Sequence, residues 1–398
     1  MKTLGSLAKN YLGLHRNVGV LAASTFVLAL GEELWLAFLP KYLVELGASA
    51  IVVGIFGSAK DLLDGIYQYP GGWVADKFGR KSALMTFTIV AMGGYALAAI
   101  APSWWLMFPA LVLIMGWKSG AFPVSFAVIG DALPKGKRGI AFSVQSIMQR
   151  FPRVIGAPLG GLLILALGLG MGVRAALAAT ILFAIGTLVM QRVGFVEDPV
   201  PVHDEGQKNA GSSFSRLPRV LRRLLLVECV VRMGEAVAAS FIILYVTDVL
   251  KVGIESYGLL YALQQAIAIV MYLPAGRLAD LAGRRSLIAL TFLFFALFPF
   301  VVYNAHSAPL LVVAFVIGGL KEFGEPARKS FIVDHVPAAE RGRAVGTYYT
   351  IRNLTIVPGG LIGGILWGVS AELLFLTALV LGITGLVIFL LTSKSGFQ

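Results

Sequence analysis

Twelve long apolar stretches constrain this chain more than any other feature of its sequence. Each is long enough to cross a bilayer as a helix, which takes about 20 mainly apolar residues. They lie at residues 17–43, 50–73, 82–101, 104–131, 139–167, 171–194, 221–250, 255–278, 286–305, 308–335, 340–368 and 371–393. Only 14% of the 398 residues are charged and 58% are hydrophobic, whereas about 25% are charged in average soluble domains. The sequence therefore predicts an all-α integral membrane protein with twelve transmembrane helices.

One polar segment divides these stretches into two sets of six. Residues 195–220 are rich in proline, glycine, serine and charge, which is typical of a flexible linker. We therefore predict an N-terminal six-helix bundle at 1–194, a cytoplasmic linker at 195–220, and a C-terminal six-helix bundle at 221–398.

The two halves of the chain also repeat each other. An offset of 203 residues places Gly31-Glu32 on Gly234-Glu235 and Lys118 on Lys321, and an offset of 204 places Asp76 on Asp280. Because the matches include charged residues and prolines, shared apolar composition does not explain them. The repeat predicts two pseudo-symmetric bundles of parallel topology with a substrate path between them.

The distribution of basic residues predicts the orientation of the chain. With the N-terminus inside, 23 of the 33 lysines and arginines fall in cytoplasmic segments, as the positive-inside rule requires. The net charge of +12 is thereby explained without a nucleic-acid partner. We expect a multi-pass protein of the plasma or inner membrane with both termini in the cytoplasm.

Two loops carry a motif that identifies a family. The loop after the second stretch reads GGWVADKFGRK (71–81), and the loop after the eighth reads AGRLADLAGRR (275–285). Both resemble the G-x-L-A-D-R-x-G-R-R/K signature of the major facilitator superfamily. The resemblance covers essentially the whole chain. It implies a secondary transporter that works by alternating access, is not an enzyme, uses no cofactor or metal, and acts on a small-molecule substrate, here expected as a monomer.

The same resemblance implies a cytoplasmic gate built from ion pairs. In the family, the acid and base of the motif form a network with an acid at the end of the fourth or tenth helix. Carried onto this sequence, the gating residues are Asp76, Arg80, Asp131, Arg138, Asp280, Arg284, Asp334 and Arg341. The alternative is that these charges only set the topology.

The fifth stretch resembles a narrower group within the family. Drug/proton antiporters carry a G-P-x-x-G-G pattern there, and this chain reads GAPLGG over 156–161, with the proline displaced by one position. It also lacks the arginine that those antiporters favour in the first half of the fourth helix. The pattern favours proton antiport, and it predicts that 156–161 and 358–364 are points of close helix packing or bending.

Ionisable residues inside the membrane are costly and mark a pathway or proton relay by default. For proton coupling we predict the four acids Glu32, Glu33, Asp61 and Glu235, with Glu32 favoured because Glu235 repeats it. Burial penalises a charged carboxyl, so such a group can take up and release a proton.

A second set of interior charges is predicted to bind substrate. The set is mainly cationic, which suits a carboxylate or phosphate, and comprises Lys118, Arg150, Arg153, Lys321, Glu322, Glu325 and Arg352. The structural alternative is pairing within one helix, which the spacing allows for Lys60/Asp64, Glu228/Arg232, Lys321/Glu325 and Arg232/Glu235. The remaining interior charges lack such a local partner and must face a wet cavity, another helix or a ligand.

Other classes of protein fit the sequence less well. The four histidines form no metal-binding pair, and no nucleotide-binding or nucleophile motif is present, so an intramembrane enzyme is disfavoured. A receptor or scaffold has no need of charges at the midplane of both halves. Within transport, we favour proton-coupled efflux of amphipathic or charged compounds by antiport. Proton-coupled transport of an organic anion or zwitterionic metabolite is the alternative.

Overall fold

The computed structural model describes residues 16–132, 135–195, 217–325, 328, 331–332, 335–336 and 341–393. Within these ranges the chain forms helices and turns and contains no strand. The helices are α1 (Arg16–Glu33), α2 (Leu39–Glu45), α3 (Ala50–Phe78), α4 (Arg80–Ile100), α5 (Met107–Ala132), α6 (Lys135–Leu167), α7 (Leu169–Gly194), α8 (Arg219–Ala239), α9 (Ile254–Ala282), α10 (Arg284–Tyr303), α11 (Ala308–Leu320), α12 (Arg341–Ile356), α13 (Pro358–Val369) and α14 (Ala371–Thr392).

Among the described residues, each of the twelve predicted stretches contains one helix or a helix that is interrupted. The first stretch contains α1, a 3-10 turn at Leu36–Phe38, and α2. The seventh continues from α8 into a π-helical turn at Tyr245–Val249. The eleventh is divided before Pro358, because proline cannot donate the backbone hydrogen bond that a continuous helix needs. The prediction of an all-α membrane protein is confirmed.

Eight helices among the described residues are long and apolar enough to cross a membrane. They are Arg16–Glu45, Arg80–Ile100, Arg150–Leu167, Leu169–Gly194, Arg219–Val249, Ile254–Tyr272, Arg284–Tyr303 and Ala371–Thr392. Many of their large apolar side chains are exposed, among them Leu182, Val193 and Leu391. Such surfaces suit contact with lipid rather than with water.

The chain divides into two compact units. One consists of Met1–Tyr42 and Ile66–Val202, and the other of Leu43–Gly65 and His203–Gln398. The bundle limits at residues 194 and 221 stay a prediction. Most of the predicted linker, from 196 to 216, lies outside the described residues.

In the first unit, α1 packs against α6 and α7, and α4 packs against α5 and α7. Polar side chains tie these helices at buried positions. The Thr180 hydroxyl donates to the Gly31 carbonyl at 2.7 Å, and the Thr88 hydroxyl bonds to the Gln191 side chain at 3.1 Å. Hydrogen bonds between helices of this kind add to van der Waals packing where lipid supplies no hydrophobic driving force.

In the second unit, α8 packs against α13 and α14, α10 against α14, and α9 against α11. Aromatic rings fill these contacts: Phe241 stacks on Trp367 with ring centroids 5.3 Å apart, and Phe292 meets Phe389 edge to face. Small residues allow the closest approach. A Cβ on Gly360 would lie 2.4 Å from the Gly54 carbonyl oxygen, and a Cβ on Gly363 would lie 2.2 Å from that of Val237.

Candidate functional site

Two adjacent glutamates end α1 inside the first unit. Glu32 and Glu33 expose only 5% and 4% of their surface, although both carry a carboxylate. Neighbouring residues of a helix point about 100° apart, and the two side chains accordingly have different partners. Glu32 Oε1 accepts a 2.6 Å hydrogen bond from the Tyr95 hydroxyl of α4.

Glu33 instead forms an ion pair with α6. Its Oε1 lies 3.1 Å from Arg153 Nε, while its Oε2 is buried and has no hydrogen-bond partner among the described residues. Two glycines of α6 make this approach possible. A Cβ on Gly156 would lie 2.8 Å from Glu33 Cβ, and one on Gly160 would lie 1.9 Å from the Leu34 carbonyl oxygen. The 156–161 segment is therefore a point of close packing, as its sequence predicts.

Two further cations of the first unit belong to the predicted substrate-binding set. Lys118 lies on α5 and is partly buried. Arg150 lies on α6, three residues before Arg153, and is partly buried. Arg153, the third predicted substrate-binding base of this unit, forms an ion pair with Glu33, an acid predicted for proton coupling.

In the second unit, Glu235 is held by two cations. Its Oε1 lies 2.6 Å from Lys321 Nζ, and its Oε2 lies 2.8 Å from Arg232 Nη1. Lys321 follows the end of α11, so this contact joins two segments that are distant in sequence.

The spacing of Lys321 and Glu325 suggested a pair within one helix. However, the α-helix ends at Leu320 and the chain turns through 321–324, so the two residues are not separated by one helical turn. Glu325 pairs with Arg328 and approaches Arg232 Nη2 at 3.7 Å.

Glu228 is the most buried acid among the linked ion pairs of the second unit, which we call the Glu228 network. Its fully buried carboxylate places Oε1 2.9 Å from Arg328 Nη1, 3.1 Å from Arg352 Nη1 and 3.8 Å from Arg232 Nε. Its Oε2 accepts a 2.6 Å hydrogen bond from the Tyr348 hydroxyl. Three arginines therefore converge on one carboxylate, and the partner that the sequence left open for Arg352 is an acid on another helix.

Sequence reasoning did not place Arg328 among the interior charges. Its side chain is only 1% exposed, which makes it one of the largest fully buried side chains of the described residues. The signal that was available is its position three residues after Glu325, a spacing that allows an ion pair on one helical face. Its other partner, Glu228, lies 100 positions earlier in the chain. Spacing along one helix cannot indicate a contact between such distant residues.

Asp61 and Asp64 lie on α3. Lys60 Nζ approaches Asp61 Oδ1 at 3.8 Å, although the helical spacing favoured Asp64 as its partner. Asp64 Oδ2 instead accepts a 3.2 Å hydrogen bond from Asn353 Nδ2, and Asn353 Oδ1 accepts two hydrogen bonds from Arg352. Asp64 is thereby linked through an amide to the Glu228 network. Of the predicted substrate-binding acids, Glu322 is partly buried.

Most of the predicted gating side chains lie outside the described part of the structure. These are Asp76, Asp131, Arg138, Asp280, Asp334 and Arg341. Arg80 and Arg284 are described, and each is the first residue of its helix, α4 and α10. Gly79 and Gly283, which precede them, have φ angles of 82° and 79°, a backbone region that glycine adopts without strain. The repeated motif thus forms the same turn twice.

Chemically, each unit contains buried acids that are bonded to hydroxyls and cations. A neutral tyrosine hydroxyl solvates Glu32, whereas guanidinium and ammonium groups neutralise Glu33, Glu228 and Glu235. Such sites can exchange a proton or a cationic ligand for one of their bonded partners, because a buried carboxylate must always be compensated.

The sequence model of the Major Facilitator Superfamily matches residues 21–227 and 224–396. An uncharacterised MFS-type transporter of Methanocaldococcus jannaschii is 24% identical over 380 residues, which covers 93% of each chain. A multi-drug resistance efflux pump PmrA homolog of Lactococcus lactis is 27% identical over 89% of this chain and 88% of its own. Multidrug resistance protein MdtG of Yersinia enterocolitica is 26% identical, over 87% of this chain and 86% of its own.

Solved structures share the fold. The human organic anion transporter MFSD10 (TETRAN) superposes with a TM-score of 0.70 at 19% identity, over 94% of this chain and 99% of its own. The nucleoside transporter NupG superposes with a TM-score of 0.77 at 13% identity, over the same shares. At these identities the likeness extends to the fold alone.

Proposed function

The chain belongs to the major facilitator superfamily, and on that basis we propose that it exports amphipathic or charged small molecules in exchange for protons. Membership makes it a multi-pass membrane transporter of small molecules and not an enzyme. The proposal adds the coupling ion, the direction and the chemical class of the substrate. It also places the transporter in the plasma or inner membrane as a monomer, with both termini in the cytoplasm.

The observation that carries the proposal is the environment of Glu32. Its buried carboxylate is hydrogen-bonded by the neutral Tyr95 hydroxyl, and no described cation forms an ion pair with it. A buried carboxylate without an ion pair is costly, and it is relieved by binding a proton or a cation. Glu32 is therefore suited to alternate between a bound proton and a cationic or amphipathic substrate, with Glu33, Asp61 and Glu235 as the other candidate carriers.

Two further observations support efflux in particular. The relatives named as a multi-drug efflux pump homolog and as a multidrug resistance protein align with most of this chain. Gly156 and Gly160 bring α6 against the end of α1, in the segment that resembles the antiporter pattern. Neither observation depends on the charge of Glu32.

Transport of an organic anion or zwitterion is the second candidate. It draws support from the cationic set that comprises Lys118, Arg150, Arg153, Lys321 and Arg352. However, Arg153, Lys321 and Arg352 are each within 3.1 Å of a carboxylate oxygen. An anionic substrate must first displace those acids, so we rank this candidate second.

A thermal-shift screen of the detergent-purified protein tests the proposal. A ligand present at 100 times its dissociation constant stabilises by about 2.7 kcal/mol. We expect tetraphenylphosphonium, a lipophilic cation, to raise the melting temperature more at high pH than at low pH, and we expect Glu32→Gln to abolish this effect. Glu45→Gln is the matched control, because Glu45 is an exposed glutamate of the same membrane span.

Selective stabilisation by an organic anion would contradict the proposal. If benzoate stabilises the protein selectively, and Lys118→Ala or Arg150→Ala removes that effect while Glu32→Gln does not, the organic-anion function replaces drug antiport. In everted vesicles, pH-driven export that survives neutralisation of Glu32, Asp61 and Glu235 together would exclude these acids as proton carriers.

A further inference from the structure

The turn after α11 places a lysine ammonium in surroundings that suit an organic cation. Lys321 Nζ lies 2.6 Å from Glu235 Oε1, and it lies 5.3 Å from the ring centroids of both Phe295 and Phe298. Aromatic faces within about 6 Å attract a cation, and sets of such faces recognise quaternary ammonium ligands in proteins. A side chain of the protein itself thus occupies the position that such a ligand would take.

The groups around this ammonium are held in place without the lysine. Arg232 Nη1 lies 2.8 Å from the other oxygen of Glu235, so the carboxylate keeps its direction when the lysine leaves. The Phe298 ring meets Phe315 edge to face, and a Cβ on Gly318 would lie 2.8 Å from the same ring. The acid and the ring are therefore already arranged to receive a cation.

The lysine side chain can leave this position without a change of the backbone. The Lys321 amide donates to the Ile317 carbonyl at 3.1 Å, which fixes the main chain. The ammonium itself is carried on a flexible four-carbon stem that can rotate away. The Glu235 side chain is 25% exposed, so a ligand from the surface can reach the carboxylate.

We infer that the second unit binds alkylated ammonium ions at Glu235, Phe295 and Phe298, and that Lys321 is a tethered competitor for this site. Binding replaces one cation beside Glu235 with another. A primary ammonium is strongly hydrated, whereas alkyl groups on nitrogen weaken its hydration and add contact with the rings. An alkylated ammonium therefore loses less on leaving water. The inference deepens the proposed function by naming its substrate class, and it rests on that function.

Isothermal titration calorimetry of the detergent-purified protein with tetraethylammonium chloride tests the competition. The apparent dissociation constant of a ligand is the intrinsic constant divided by the open fraction of its site. With the lysine in place in about nine of ten molecules, Lys321→Met lowers the dissociation constant about tenfold. Adding Glu235→Gln abolishes this gain. Sodium chloride at the same ionic strength serves as the reference titration. No gain in Lys321→Met overturns the inference.

Lys251→Met is the matched control, because Lys251 is an exposed lysine of the same unit that lies outside its helices. Its dissociation constant for tetraethylammonium equals that of the wild type. The role of the rings is measured with Phe298→Leu in the Lys321→Met background. Leucine fills space but offers no aromatic face, so binding weakens about fivefold. Undiminished binding in that variant contradicts an aromatic site.

A second measurement uses the wild-type protein and requires no substitution to fold. Sulfo-NHS-acetate modifies exposed lysine amines, and mass spectrometry reports the rate at Lys321. Tetraethylammonium raises this rate, because the displaced ammonium leaves its ion pair with Glu235. An unchanged or lower rate means that Lys321 is not displaced, and the inference is then wrong.

The results also separate this inference from the proposed function. If Lys321→Met brings no gain while Glu32→Gln still abolishes the effect of tetraphenylphosphonium, the second-unit site fails and cation export stands. If Lys321→Met instead removes binding of benzoate, Lys321 receives an anion directly and the inference is wrong. If neither cation binds the wild type or any variant, the inference and the proposed substrate class both fail.

Discussion

The carboxylate of Glu228 lies among three arginines of the second unit. Two guanidinium groups lie within 3.1 Å of one of its oxygens, and the Tyr348 hydroxyl bonds the other. Arg328 is almost completely buried beside it. Removing one partner of a buried ion pair leaves an uncompensated charge, which costs far more than the net contribution of the pair itself.

We therefore predict that Glu228→Gln lowers the free energy of unfolding by about 3–5 kcal/mol. The glutamine keeps the size of the side chain but leaves Arg352 without its acid and Arg328 with Glu325 alone. Thermal unfolding in detergent, followed by tryptophan fluorescence, measures the loss. Glu372→Gln, at an exposed position of α14, should change stability by less than about 0.5 kcal/mol. An equally small effect of Glu228→Gln would mean that water or lipid compensates the arginines.

At the scale of helices, glycines determine where backbones meet. Gly160 of α6 lies directly against Leu34, in the turn that follows α1. By contrast, a Cβ on Gly186 of α7 would have no atom within 4 Å. The two positions are both helical glycines, so they differ in packing and not in backbone conformation.

Alanine at these two glycines should have opposite effects. Gly160→Ala forces α6 away from α1 and should destabilise by at least about 1–3 kcal/mol, the cost of overpacking. Gly186→Ala should stabilise by about 0.5–1 kcal/mol, since alanine loses less conformational freedom in a helix. Melting temperatures of the two variants in the same detergent check this difference. Equal shifts would contradict the close contact of α6 with α1.

The elements were more predictable than the contacts between them. The length of each apolar stretch predicted the helices, and Pro358 accounts for the break before α13. Spacing along one helix correctly paired Arg232 with Glu235. It could not reveal that Lys321 reaches Glu235, or that Arg328 reaches Glu228, because contacts between distant segments leave no periodic signal in one sequence.

At the scale of the whole molecule, the prediction that both termini are cytoplasmic rests on the distribution of lysine and arginine. It can be tested by labelling single cysteines in a Cys229→Ala background, because Cys229 is the chain's one cysteine. A membrane-impermeant maleimide should label Ser307→Cys in intact cells, since Ser307 lies between α10 and α11 on the predicted outer side. Ser213→Cys, in the predicted linker, should react only in everted vesicles. The reverse pattern would invert the topology.

The Glu228 network also has a consequence for how the chain enters the membrane. Glu228 and Arg352 are 124 positions apart, so α8 is synthesised long before its last basic partner. At about 5–20 residues per second, roughly 6–25 seconds pass before that partner leaves the ribosome. Until then α8 carries a charge that its final structure will neutralise. We therefore expect the helices of the second unit to assemble as a group rather than one at a time, because the partners of Glu228 come from segments that are synthesised at different times.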